Sequence, residues 1–307
     1  LSDDGVNWRA LTENRPVIAS DTISESGGIR DPHIYRGPDG GFYLAMTDLH
    51  IYAQRDGYRD TEWERDGKTY GWGNNRGLVL MKSFDLIHWT RTNIRFDQMS
   101  KEFAQIGCAW APETVYDPVT GRMMIYFTMR FGTEQNRLYY VYVNQDFNRI
   151  ESIPQILFEY PSGASAIDGD ITPIWNEERQ KMEYHLFYVA HESGSGIKQA
   201  VSDRIDGGYR FDPRWIDFEP VACEAPNVWK RIGEDKWVLM YDIFGINPHN
   251  FGFVETSDFV HFKNLGRFNE GVMKTTNFRS PKHGAVIHLT QEEADRLENY
   301  WNGKKQK

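Results

Sequence analysis

Cysteine is scarce in this 307-residue chain: Cys108 and Cys223 are the only two. A disulfide between them cannot be read from the sequence, and the reading preferred is two buried thiols. Long apolar runs are missing as well. None approaches the roughly 18–20 residues of a membrane-spanning helix, so no membrane span is expected. No Lys/Arg-rich stretch occurs, and the formal net charge is −9. That argues against nucleic acid as a partner, while a neutral ligand such as a sugar meets no opposition. His185, His191, His249 and His288 lack zinc-type spacing, so no transition metal is assigned and no cofactor is expected to be required. Helix-type periodicity, low-complexity tracts and linkers are all scarce, and the expectation is one domain over residues 1–307. Leu1 in place of Met reads as a trimmed N-terminus, and the expected location is secreted or periplasmic.

What the chain does have is aromatic residues, 14% of the total, and an acid that recurs. Asp31 stands in Arg30-Asp-Pro-His-Ile-Tyr35, Glu113 in Trp110-Ala-Pro-Glu-Thr-Val-Tyr116, Asp168 in Ile167-Asp-Gly-Asp-Ile-Thr172, and Glu224 in Cys223-Glu-Ala-Pro-Asn-Val-Trp229. The steps between these acids are 82, 55 and 56 residues. Each motif leads an apolar run, a turn rich in Gly, Asp or Asn, and a second β-type run, the signature of a hairpin. A second marker has the same period. Ser83-Phe-Asp-Leu-Ile-His-Trp89 matches Thr256-Ser-Asp-Phe-Val-His-Phe262, with weaker echoes at Asp146 and Asp203. Repeats of this length belong to propellers and solenoids. A fifth unit is expected from Pro281, with His283 where the next acid would fall. The fold expected is therefore all-β, a five-bladed β-propeller. A short helix over about 291–301 follows, opened by the capping box Thr290-Gln-Glu-Glu293.

The long first step is explained by an insertion at about 50–75 carrying Tyr58, Trp63, Tyr70 and Trp72, read as one wall of a pocket. In a propeller, residues heading equivalent inner strands meet at one mouth. Asp31, Asp168, Glu224 and His283 would then form a ring. Sugar hydrolysis needs one protonated carboxyl to donate to the leaving oxygen and one carboxylate to activate water or attack carbon. A third acid nearby raises the donor's pKa by repulsion.

The motifs Arg30-Asp-Pro32, Trp110-Ala-Pro-Glu113, Ile167-Asp168, Glu224-Ala-Pro226 and Lys282-His-Gly284, with Ser83–Trp89, resemble glycoside hydrolase family 43 over nearly the whole chain. The resemblance implies a five-bladed propeller and inverting chemistry. It implies Asp31 as general base, Glu224 as general acid and Asp168 as the acid that tunes Glu224 and orients the substrate. A late histidine in that family holds a water or a calcium ion on the axis, which gives His283 that role or a direct substrate contact. The family's middle motif is Ile-Asp-Pro, whereas this chain has Ile167-Asp-Gly-Asp170, which leaves Asp170 as a competitor to Asp168. Glu113 reads as a pocket support or a contact to sugar hydroxyls, Trp110 as a stacking platform, and Arg30 as a further substrate contact.

Three functions are consistent with these features. The first is an exo-acting glycosidase removing a terminal pentose from an oligosaccharide or polysaccharide, with α-L-arabinofuranose ahead of β-xylose or an exo-galactanase activity. The second is a glycoside phosphorylase, which would need phosphate held by Arg30, Arg76, Arg279 and Lys282 against three carboxylates. The third is a non-catalytic carbohydrate-binding propeller.

Overall fold

Four antiparallel four-stranded sheets follow one another along the chain as the blades of an all-β propeller. The computed structural model describes residues 1–57 and 65–304. The first blade comprises Ile29–Arg36, Phe42–Asp48, Gly77–Ser83 and Thr90–Arg95. The second comprises Ile106–Asp117, Arg122–Phe131, Arg137–Val143 and Gln155–Phe158. The third comprises Ala166–Asn176, Lys181–Ala190, Gly196–Ser202 and Arg210–Asp212. The fourth comprises Glu224–Lys230, Trp237–Ile243, Asn250–Thr256 and Lys263–Arg267. Strand order within each blade is sequential, and neighbouring strands are antiparallel, with the insertion lying between the second and third strands of the first blade. The core lies between blades: Val115, Met124 and Tyr126 of the second meet Ile171, Tyr184 and Leu186 of the third. Both cysteines are buried free thiols, as expected.

The fifth blade expected from Pro281 does not form as a blade. Residues 281–288 run beside the fourth blade, where Val286 N–H donates to Asn227 Oδ1 at 2.9 Å. They build no ladder of their own among the described residues, and the only pairing on this side is a short parallel one, Asn7–Trp8 with Lys274–Thr275. The reason is in the sequence that follows. After Ile287 the chain turns directly into the helix Gln291–Lys304, so a helix stands where the second strand of a blade would follow. That helix opens on the expected capping box, with Thr290 Oγ1 accepting from Glu293 N–H at 3.2 Å and Glu293 Oε2 from Thr290 N–H at 2.8 Å.

The recurring Ser/Thr-x-Asp element is a turn between third and fourth strands. Ser83 Oγ accepts from Asp85 and Leu86 N–H, and Asp85 Oδ1 accepts from Ile87 and His88 N–H at 2.8 Å each. Thr256 and Asp258 repeat every one of these bonds. The periodic aspartates therefore cap turns, and the donors around them hold Asp85 and Asp258 well below the usual carboxylate range.

All four inner strands carry a β-bulge at the same place, where the register shifts between Arg30 and His33, Trp110 and Glu113, Ile167 and Asp170, and Glu224 and Asn227. The bulge residue has positive φ: Asp31 51°, Ala111 44°, Asp168 50° and Ala225 54°, with His283 at 37° in the fifth motif. Proline or glycine always follows (Pro32, Pro112, Gly169, Pro226, Gly284), and proline there has no N–H in need of a partner. Gly169 is forced by crowding, since a Cβ would meet Leu138 Cδ1 at 2.9 Å.

Two rings of hydrogen bonds lock these bulges from blade to blade. In the upper ring, bulge N–H groups donate to the preceding blade: Ala111 to Thr47 Oγ1 at 2.8 Å, and Asp168 to Thr128 Oγ1, Ala225 to Asp168 Oδ2 and His283 to Asp242 Oδ2 at 3.1 Å each. In the lower ring, three residues on, Thr114 N–H donates to His33 Nδ1 at 3.2 Å and Val228 N–H to Asp170 Oδ2 at 3.1 Å. Ile171 N–H reaches Glu113 through the Tyr126 hydroxyl, two bonds of 2.8 Å.

Asp170 is thus a clasp, also accepting from Asn227 Nδ2 at 2.9 Å and Thr172 Oγ1 at 3.0 Å. Burial pushes it from an ordinary 3.8 up to about 7. The folded state therefore holds a proton that the unfolded state releases, and stability falls as pH rises from 3.8 towards 7. Asp170→Asn keeps an oxygen for Val228 and Asn227 and gives Thr172 a donor, so thermal unfolding followed by circular dichroism should show a flatter pH dependence than wild type. Asp170→Ala strips the acceptors and should destabilise by about 2–4 kcal/mol.

Candidate active site

The acids that the sequence presents as one series occupy three different slots of the bulge motif. Asp31 and Asp168 are bulge residues proper, Glu224 stands one residue before, and Glu113 two residues after. The residues truly in register are Asp31, Ala111, Asp168, Ala225 and His283, at steps of 80, 57, 57 and 58. This corrects the expectation of four equivalent acids. It also settles the position of the third motif: Asp168 is the counterpart of Asp31, whereas Asp170 is the counterpart of His33, Glu113 and Asn227 in the lower ring.

Asp31, Asp168 and Glu224 come together electrostatically. Asp168 is held well above the usual carboxylate range by burial first, then by the Glu224 and Asp31 carboxylates. Its Oδ2 accepts from Ala225 N–H because the second-strand residue facing this bulge is Val189, which has no acceptor to offer. In the other blades Thr47, Thr128 and Asp242 fill that place. Thr47 also donates its hydroxyl to Asp31 Oδ2 at 2.8 Å, so one side chain fixes the Asp31 carboxylate and the next blade's bulge. Asp31 Oδ1 faces His283 Nδ1 at 3.3 Å and Arg30 Nε at 3.7 Å.

Glu224 is paired with Lys282, whose ammonium also lies 2.9 Å from Asp242 Oδ2. Asp242 is fully buried, and Lys282 is its compensating charge. Burial pulls the lysine pKa down, but Glu224 and Asp242 hold it above its ordinary value. Glu224 therefore stands between the Lys282 ammonium and the buried Asp168 carboxyl. His191 also senses Glu224, although burial keeps that imidazole below its usual value.

Glu113 lies outside this group. It accepts from Tyr126 and faces His33 Nε2 at 3.7 Å, and burial followed by the Asp170 carboxylate pushes its pKa well up. Trp110 occupies the slot that Glu224 fills in the fourth blade, but it is covered: Arg130 lies 4.7 Å from its ring centroid, Trp72 packs edge-on at 6.1 Å, and its Nε1–H donates to Gly73 O at 2.9 Å. It is a buttress of the insertion more than an open platform. Tyr58 and Trp63 of the insertion lie outside the described residues.

A calcium ion on the axis would need six to eight oxygens. The axis offers imidazoles instead: His33, whose Nδ1 is taken by Thr114 N–H and whose pKa burial and His283 lower to about 3, and His283 itself against Asp31. No group of three or more His, Cys, Asp or Glu converges as a metal set among the described residues, so the donor set does not fit the ion.

Thr47, Thr128 and Asp242 were not singled out from sequence as parts of the site, and Lys282 was named there only within a motif and as a phosphate contact. The usable signal was a buried polar residue near the end of an otherwise apolar second strand, as in Met46-Thr-Asp48, Phe127-Thr-Met129 and Tyr241-Asp-Ile243.

Comparison with known proteins agrees with this architecture. A family model described as a probable glycosyl hydrolase domain, related to glycoside hydrolase family 43, matches residues 1–295. A curated α-L-arabinofuranosidase of Bifidobacterium longum subsp. longum is 25% identical over 142 residues, 44% of this chain but 12% of that protein's length. The catalytic domain of the Coprinopsis cinerea family 62 α-L-arabinofuranosidase superposes with a TM-score of 0.55 at 12% identity, covering 92% of this chain and 78% of that one. The α-L-arabinofuranosidase of Lactobacillus brevis gives 0.51 at 17% identity, with 80% and 76% covered. At these identities the two superpositions speak for the fold, and the family model, spanning nearly the whole chain, establishes that the chain belongs to the glycosyl hydrolase group of family 43.

Proposed function

We propose that the protein is an exo-acting, inverting glycosidase that removes a terminal pentose, with α-L-arabinofuranose the best reading. The observation that carries this proposal is the grouping of Asp31, Asp168 and Glu224, in which a buried acid feels both of the other carboxylates. Asp31 is the general base: two of its neighbours, Thr47 and His283, orient its carboxylate, and an oriented carboxylate can take a proton from attacking water. Glu224 is the general acid and protonates the leaving oxygen. Asp168, pushed well up by burial and then by the Glu224 and Asp31 carboxylates, is the third acid of the group and orients the substrate, while Lys282 pairs with the Glu224 carboxylate.

The exo reading rests on the insertion, which is clamped to the second blade beside Trp110. Arg130 Nη2 donates to Tyr70 O at 3.1 Å and Trp72 O at 2.9 Å. Asn75 exchanges two 2.7 Å bonds with Ala109. A wall held in this way supports exo action, since a long polymer needs an open groove. The arabinofuranose reading draws on the named activities of the relatives. A phosphorylase is disfavoured because Lys282 is already committed to Glu224 and Asp242.

Glu224→Gln should lower kcat/KM about 10³-fold on natural glycosides and far less on activated aryl arabinofuranosides, which need little protonation. Equal losses would remove Glu224 from the acid role. Asp31→Asn should abolish turnover of both, and proton NMR of the first-formed wild-type product should show the inverted anomer. Lys282→Met leaves the fully buried Asp242 carboxylate without its counter-charge and should lower stability by about 3–5 kcal/mol in thermal unfolding, with Lys282→Arg recovering much of the loss.

A further inference from the structure

Trp72 is 72% exposed, yet it is not loosely held. Its carbonyl accepts from the buried Arg130 guanidinium, which also donates to Tyr70 O, and its ring packs at 68° to Trp110. Gly73, the next residue, sits against Trp110, with a built Cβ 3.3 Å from Trp110 Cζ2. Asn74 Nδ2 donates to Gly71 O at 2.9 Å, and Arg65 donates to Asn75 O and Ile106 O, so the turn is tied on both sides. A large aromatic presented to solvent on backbone this firmly held gains nothing for folding. It is preorganised for a flat, partly apolar ligand that would lose little further freedom on binding.

Its position says which ligand. Trp110, on which Trp72 leans, is the second-blade counterpart of Glu224 and directly precedes the bulge residue Ala111. The Ala111 N–H is bonded to Thr47 Oγ1, and Thr47 in turn holds Asp31. Trp72 therefore borders the mouth that contains the acids, on the insertion's side. The sugar being cleaved occupies the acids, so what reaches the insertion is the part of the substrate on the far side of the scissile bond.

We infer that Trp72 is the stacking platform for a sugar ring of the leaving portion, buttressed by Trp110 and Arg130, and that it makes the protein prefer oligosaccharides over simple glycosides. The inference rests on the proposed glycosidase site. Sugar faces present C–H groups that pack on an indole ring, and the preference this gives tolerates changes of linkage in the backbone being recognised.

The test compares wild type, Trp72→Ala and Trp72→Tyr on an aryl α-L-arabinofuranoside and on xylotriose bearing one α-L-arabinofuranosyl branch. Trp72→Ala should lower kcat/KM on the branched tetrasaccharide about tenfold more than on the aryl glycoside, mainly through KM, and Trp72→Tyr should recover most of it. Equal effects on both substrates overturn the inference. Calorimetric titration of the same tetrasaccharide and of free L-arabinose into Glu224→Gln, with and without Trp72→Ala, separates the two levels. Weaker tetrasaccharide binding in the double variant without wild-type turnover would sink the hydrolase proposal and leave the platform standing. Turnover with unchanged tetrasaccharide binding would do the reverse.

Discussion

A backbone N–H at a β-bulge has lost its ladder partner, and here it points into the joint between blades. At Ala111, Asp168, Ala225 and His283 the structure answers with a side-chain acceptor from the neighbouring blade: Thr47, Thr128, Asp168 and Asp242. Leaving such a donor unmet costs about 1–3 kcal/mol. The requirement shapes the whole centre of the molecule. It fixes the angle between consecutive blades, keeps bulge residues at positive φ, and demands polar side chains where a core would otherwise be apolar.

The chemistry grows out of that demand. Two of the five bulge residues are aspartates, and one of the acceptors is a buried aspartate that must have a counter-charge. Lys282 supplies it, and the same ammonium reaches Glu224. The proposed acid is in this way paired with a group whose first task is to neutralise a structural carboxylate. The lower ring has no such duty. Glu113 and Asp170 are buried and bonded to their neighbours, and both are pushed towards the protonated form.

Much of this was legible in the sequence. The repeat length, the hairpins, the Ser/Thr-x-Asp turns, the capping box and the three acids all follow from residue types and spacing. Reading the acids as one register failed because chemical identity is a poor ruler for structural position. Asp31, Glu113, Asp168 and Glu224 serve different slots, and the residues in true register include two alanines, Ala111 and Ala225, which advertise nothing. The proline or glycine after each bulge was the better ruler. The fifth blade was over-read for a related reason. His283-Gly-Ala-Val-Ile287 has the motif of an inner strand, but a blade also needs strands to pair with it, and the helix takes their place.

The seam left by that missing blade is closed by distant parts of the chain. Asn7–Trp8 pairs with Lys274–Thr275, Trp8 packs edge-on to Trp229, and Arg9 and Arg36 bind Glu298 and Glu293 of the helix. Lys282 and His283 belong to the stretch of chain that borders this seam, and they reach Glu224 and Asp31. The same few residues that finish the ring therefore also furnish the mouth with its ammonium and one of its imidazoles.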